Sequence, residues 1–181
     1  MSNNRVFSFD GDFVRQAEFI PIENLAEVKA RLTSFGAIDI KDGGKEYNFR
    51  PFSILLEIKN ISFKDIALSI RDFLQPYDKV VFDISPEETE SEMFAFGDER
   101  LALWGGKESP TSDKVVWLEF VKLNNVSTSG DIVKNDQILN NFSQAVYSIG
   151  VKNALLLVDL DTRKVVDCSN ILEVYEYFRN W

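Results

Sequence analysis

Apolar residues recur at helical spacing in four places. Ile22, Leu25, Val28, Leu32 and Phe35 are followed by Gly36, which predicts a helix over 22–35. Phe63, Ile66, Ala67, Ile70, Phe73 and Leu74 form a second stripe, with Ser62 three residues ahead of Asp65 at its start and Pro76 as its stop. Ile138, Leu139, Phe142, Ala145, Val146 and Ile149 form a third, closed by Gly150. Asn170 caps a fourth, which carries Ile171, Leu172, Val174, Tyr175 and Phe178.

The remaining apolar runs read as strands. Short strands near Ile38–Ile40 and Tyr47–Arg50 flank the turn KDGGKE, and FSILLEIK (52–59) reads as a buried strand. KVVFDIS (79–85) is another, and RLALWGGK (100–107) is a strand ending in a Gly-Gly turn. KVVWLEFVKL (114–123) sets Val115, Trp117, Glu119 and Val121 on one face, and Val116, Leu118, Phe120 and Lys122 on the other. Both faces are largely apolar, which predicts a central strand covered on both sides. NALLLVDL, the turn DTRK and a short VVD strand follow. Strands do not alternate one-for-one with helices. The pattern therefore predicts a single α+β domain over 1–181: a mixed β-sheet of about five to seven strands with about four helices.

Composition narrows the function classes. Lys plus Arg is 20 and Asp plus Glu is 29, a net charge of −9. A phosphate backbone is bound through many cationic contacts, so neither nucleic acid nor an anionic membrane is expected as a partner. The chain has no His, which excludes imidazole-based triads and zinc sites. Any metal would need oxygen ligands; no cofactor is expected. The single cysteine, Cys168, allows no intrachain disulfide, and acidic neighbours such as Asp167 raise a thiol's pKa, so it reads as a packing residue. The start shows no secretory h-region and no apolar run is long enough to span a membrane, so a cytoplasmic location is expected. Oligomeric state is left open.

Negative charge is concentrated. Between Ser85 and Arg100, six carboxylates (Glu87, Glu88, Glu90, Glu92, Asp98 and Glu99) face one Arg100, a net −5 of the chain's −9. Met93, Phe94 and Phe96 lie among them and Trp104 follows. Aromatic anchors ringed by carboxylates suit docking on a basic protein surface. These ten residues are the candidate partner-binding set. The competing reading is a short exposed helix started by Pro86, with Met93 and Phe96 turned to the core.

Other motifs carry less. Asp159-x-Asp161 after an apolar strand resembles the first motif of the haloacid-dehalogenase-like phosphotransferases. The resemblance implies Asp159 as nucleophile, Asp161 as general acid and a bridging magnesium. That motif opens its domain, whereas here only about twenty residues follow, and Arg163 stands where Thr or Val is expected. The bland reading is a hairpin turn with Asp at its corners. Asp10 and Asp12 around Gly11 read as a turn. Gly43-Gly44 and Gly105-Gly106, each followed by Lys, lack the remaining phosphate-loop residues. The expected function is a small acidic binding protein, an immunity- or antitoxin-like inhibitor covering a basic surface such as that of a nuclease toxin. The alternatives are a divalent-metal phosphoryl or nucleotide enzyme using Asp159 and Asp161, or a structural subunit of an assembly.

Overall fold

A computed structural model describes residues 5–9, 15–34, 52–82, 92–98, 101–122, 136–159 and 162–180. Seven strands form one antiparallel sheet: β2 (Arg15–Pro21), β3 (Gln75–Pro76), β5 (Met93–Gly97), β6 (Leu101–Lys107), β7 (Val115–Lys122), β8 (Leu155–Asp159) and β9 (Lys164–Asp167). Their order is β3-β5-β6-β7-β2-β8-β9, which puts β7 at the centre, as its two apolar faces require. Parallel pairing is confined to a second, two-stranded sheet of β1 (Val6–Phe9) and β4 (Lys79–Phe82). The described residues thus form an α+β fold whose parallel and antiparallel pairings are divided between two sheets.

Four α-helices complete the described residues: α1 (Leu25–Ser34), α2 (Phe63–Ile70), α3 (Asp136–Asn153) and α4 (Ile171–Arg179). The largest core joins side chains of α2, α3 and α4 to one face of the antiparallel sheet, with Ile66, Ile70, Phe142, Ile149, Phe178 and Phe120 in it. Fully burying such a side chain contributes roughly 1.5–3 kcal/mol. The other face carries two separate clusters. Phe7, Val80, Ala95, Ala102, Trp104 and Val121 pack beneath the parallel pair, and Ile20, Val28, Leu156 and Val158 pack beneath α1. Arg5 ties the parallel pair to the sheet edge: its guanidinium donates to Pro76 O (2.8 Å) and Gly97 O (2.6 Å) and lies 4.4 Å from the Tyr77 ring centroid.

Several local expectations are corrected. The 52–59 segment is not a strand: Leu56–Lys59 forms a 3₁₀ turn ended by left-handed Asn60 (φ 50°), with Leu55 and Ile58 exposed. Its backbone at Ile54 pairs with the side chain of Asn24 rather than with a ladder, donating at 3.1 Å and accepting at 2.7 Å. The first helix opens as a 3₁₀ turn over Ile22–Asn24, and α1 begins only at Leu25. Ser62 Oγ does accept from Asp65 N, but α2 stops at Ile70, ahead of Pro76, and Gln75–Pro76 join the sheet edge. β6 runs through Gly105 and Gly106 to Lys107, because the Trp117 indole packs where a Cβ at Gly106 would stand. A register shift at Gly106/Lys107 returns Val115 to the helix-covered face with Leu118 and Phe120. β1 and β2 come from a stretch whose pattern predicts no element. The strands expected near Ile38–Ile40 and Tyr47–Arg50, and the Asp10/Asp12 turn, lie outside the described residues.

Helix α3 also passes Gly150 and ends at Asn153, with left-handed Ala154 (φ 53°) after it. Gly150 serves close approach instead: a Cβ there would stand 2.1 Å from Cys168 Cβ and 2.7 Å from its carbonyl oxygen. Gly150→Val is expected to lower unfolding free energy by at least about 2 kcal/mol, since neither backbone can retreat from the buried seam. Urea denaturation checks it, and a midpoint equal to that of the native chain contradicts this packing.

Candidate functional site

The described part of the acidic stretch turns its aromatic residues inward. Met93–Gly97 is strand β5, not a helix, paired to β6 on one side and β3 on the other. Phe94 and Phe96 are 7% and 5% exposed and stack on Phe63 at ring-centroid distances of 4.8 and 6.2 Å. Trp104, also buried, meets Trp117 edge-on at 4.6 Å. Met93 is partly buried against the same cluster. As surface anchors, Phe94, Phe96 and Trp104 are therefore corrected: exposing each forfeits roughly 1.5–3 kcal/mol. Glu92 and Asp98 flank opposite ends of β5, about 20 Å apart at the rise of a strand. Asp98 Oδ1 caps the β5–β6 turn, accepting from Leu101 N at 3.0 Å. Glu87, Glu88, Glu90 and Glu99 lie outside the described residues.

Asp159 is fully buried and held as a structural residue. Its Oδ2 accepts from the Tyr177 hydroxyl (2.8 Å), and its Oδ1 accepts from Thr162 N (2.9 Å) in the β8–β9 hairpin. Those contacts are a turn cap tied to α4, the hairpin reading of the motif. Asp161 lies outside the described residues. No group of three or more His, Cys, Asp or Glu able to hold a metal occurs among the described residues. Cys168 is fully buried, and burial raises its thiol well above the usual range, with Asp167 and Glu173 adding to the effect.

A different pair of carboxyls comes together at the sheet centre. β2 and β7 pair only from Arg15↔Lys122 to Glu18↔Glu119. Beyond Glu18 the strands part: β2 continues along β8 to Pro21, while β7 follows β6 back to Val115. Residues 52–59 fill the fork. Asn24, only 2% exposed, clamps Ile54, and Glu27 accepts from Ser53 N at 3.1 Å. A cavity of about 190 Å³ remains, lined by Glu18 with Ile20, Phe52, Ile54, Leu55, Val116 and Trp117 among others. Glu18 sits at its apex, opposed by Glu119 on β7, on the face opposite the three helices and in the seam between the two smaller apolar clusters.

Directly opposed residues in an antiparallel pair have Cβ atoms about 4.5–5.5 Å apart, so the two carboxyls repel when both are charged. Burial pushes the Glu18 carboxyl up to about 7, with Glu119's charge adding to the rise and Arg31's opposing it. Arg31 is shared elsewhere: it pairs with Glu27 and lies 4.2 Å from the Phe52 ring centroid. Hydrogen bonds from Ser53 hold Glu27 below the usual range, so it stays charged for Arg31. The site therefore holds one near-neutral titrating carboxyl against a second carboxyl, walled by aromatic and aliphatic side chains. No family model matches the chain, and no match is found among curated proteins or among solved structures.

The sequence carried one sign of this pair. Glu119 is the lone charge within VVWLEFV, a run otherwise apolar on both faces. Glu18 gave no sign, because RQAEFIP alternates too weakly to mark a buried strand.

Two predictions follow from these contacts. Tyr177→Phe removes a donor from a buried carboxyl and is expected to cost about 1–3 kcal/mol, read by urea denaturation. Glu18 binds its proton in the folded state at pH values where the unfolded chain has lost it. Stability is therefore expected to fall as pH rises from about 4.5 through about 7, by a few kcal/mol at most. Glu18→Gln is expected to flatten that slope in melting curves collected from pH 5 to 8; an undiminished slope would assign the loss to other groups.

Proposed function

We propose that this chain is an acidic, non-catalytic binding protein that covers a basic surface of a protein partner, in the manner of an immunity protein or antitoxin facing a nuclease toxin. The observation that carries the reading is the opposition of Glu18 and Glu119 on the two central strands. Two carboxylates opposed on paired strands repel when both are charged, and a positive charge brought by a partner lowers that repulsion. The wider charge acts in the same sense. Twenty-nine acidic against twenty basic side chains draw cationic surfaces from a distance, and over half of that excess comes from 85–100.

In this reading the acidic stretch steers and does not anchor. Its aromatics belong to the core, so its carboxylates contribute to the encounter rate, which salt screens. Stopped-flow association with an arginine-rich peptide, compared with the same peptide carrying citrulline, tests this. Binding is expected for the arginine form alone, with an on-rate falling steeply between low and physiological salt. Combining Glu87→Lys, Glu88→Lys, Glu90→Lys and Glu92→Lys is expected to cut that on-rate about tenfold at low salt. An on-rate unmoved by the four reversals, or equal for the citrulline peptide, overturns the reading.

A further inference from the structure

The fork between β2 and β7 is a small, walled cavity with a carboxyl at its apex. Its volume, about 190 Å³, falls below the roughly 300–1,000 Å³ of sites for drug-sized ligands and suits one long side chain. Its described walls are aliphatic and aromatic, with Ile20, Ile54, Leu55 and Val116 offering surface to methylenes and Phe52 and Trp117 offering rings. Its only ionisable lining residues, among those described, are Glu18 and Glu57, both acidic. Leu55 on the lining is 39% exposed, so the walls reach the surface there. The walls are also held in place: Asn24 fixes Ile54 through both of its amide atoms, and Ser53 is fixed by Glu27.

We propose that this cavity receives a single arginine side chain of the protein partner, its methylenes against the aliphatic wall and its guanidinium on the Glu18 carboxylate. The inference rests on the reading above and adds to it the residue recognised and the place. Arginine is favoured over lysine by the rings. A planar guanidinium stacks on aromatic faces while bonding a carboxylate at its edge, and the protein already packs Arg31 on Phe52 in this way, at 4.2 Å. Among the described residues, Glu119 on β7 and Arg31 on α1 act on Glu18, and Glu57 on the 3₁₀ turn lines the same cavity. Two of the three are acidic, so an incoming cation meets a net negative site.

Nα-acetyl-arginine amide is the probe, titrated into the ¹⁵N-labelled protein at pH 8 with the indole N–H resonance of Trp117 as the reporter. A saturable shift is expected with the arginine amide, a weaker one with the lysine amide and none with the citrulline amide. Glu18→Gln is expected to weaken the arginine amide at least tenfold, and Leu55→Trp, which fills the mouth without touching the carboxyl, to do the same. No saturable shift, or equal shifts from arginine and citrulline, overturns the cavity assignment. So does an arginine-rich peptide that binds the chain yet leaves the Trp117 resonance in place, although the basic-partner reading then stands. If the peptide itself fails to bind, that reading falls.

Discussion

One sheet has to be buried on both faces, and the architecture answers that requirement. β7 is apolar on both sides and therefore needs a cover above and below. Three helices supply a continuous cover on one side. On the other side the cover comes in two pieces, the β1–β4 pair over β5 and β6 and helix α1 over β2 and β8. Two pieces leave a seam, and the seam falls on the strand pair where Glu18 opposes Glu119. The carboxyl pair thus lies between the two covers, among the described residues, where the second face is closed in two pieces.

Most of the fold was legible in the sequence, and the losses have physical causes. The four apolar stripes became four helices because their periodicity survives whatever they pack against. The centrality of β7 followed from its two apolar faces. Ends were read less well. Gly150 marks close packing against Cys168 rather than a terminus, and Gly105-Gly106 makes room for Phe94 and Trp117 rather than turning the chain. The 52–59 segment failed for a further reason: its backbone is satisfied by the Asn24 side chain, and composition holds no trace of that pairing. The carboxyl pair depends on register between strands roughly a hundred residues apart, a long-range property that no local window contains.

In the proposed reading, charge works at two distances in this protein. The excess on 85–100 belongs to the sequence and acts through its sum, without regard to side-chain detail. The Glu18 carboxyl would act through position, among aromatic and aliphatic neighbours that lower the local dielectric. Strand β5 joins the two scales. Its aromatic residues are committed to the interior and Asp98 at its end caps the turn into β6, so in the proposed reading close-range recognition falls to the cavity.

Where α3 crosses the β9–α4 corner, the backbones approach so closely that Gly150 and Cys168 seal each other. The sulfur has no exposed surface. A thiol reagent in solution must wait for that corner to part before it can react, so alkylation of this one atom would time the opening of that corner.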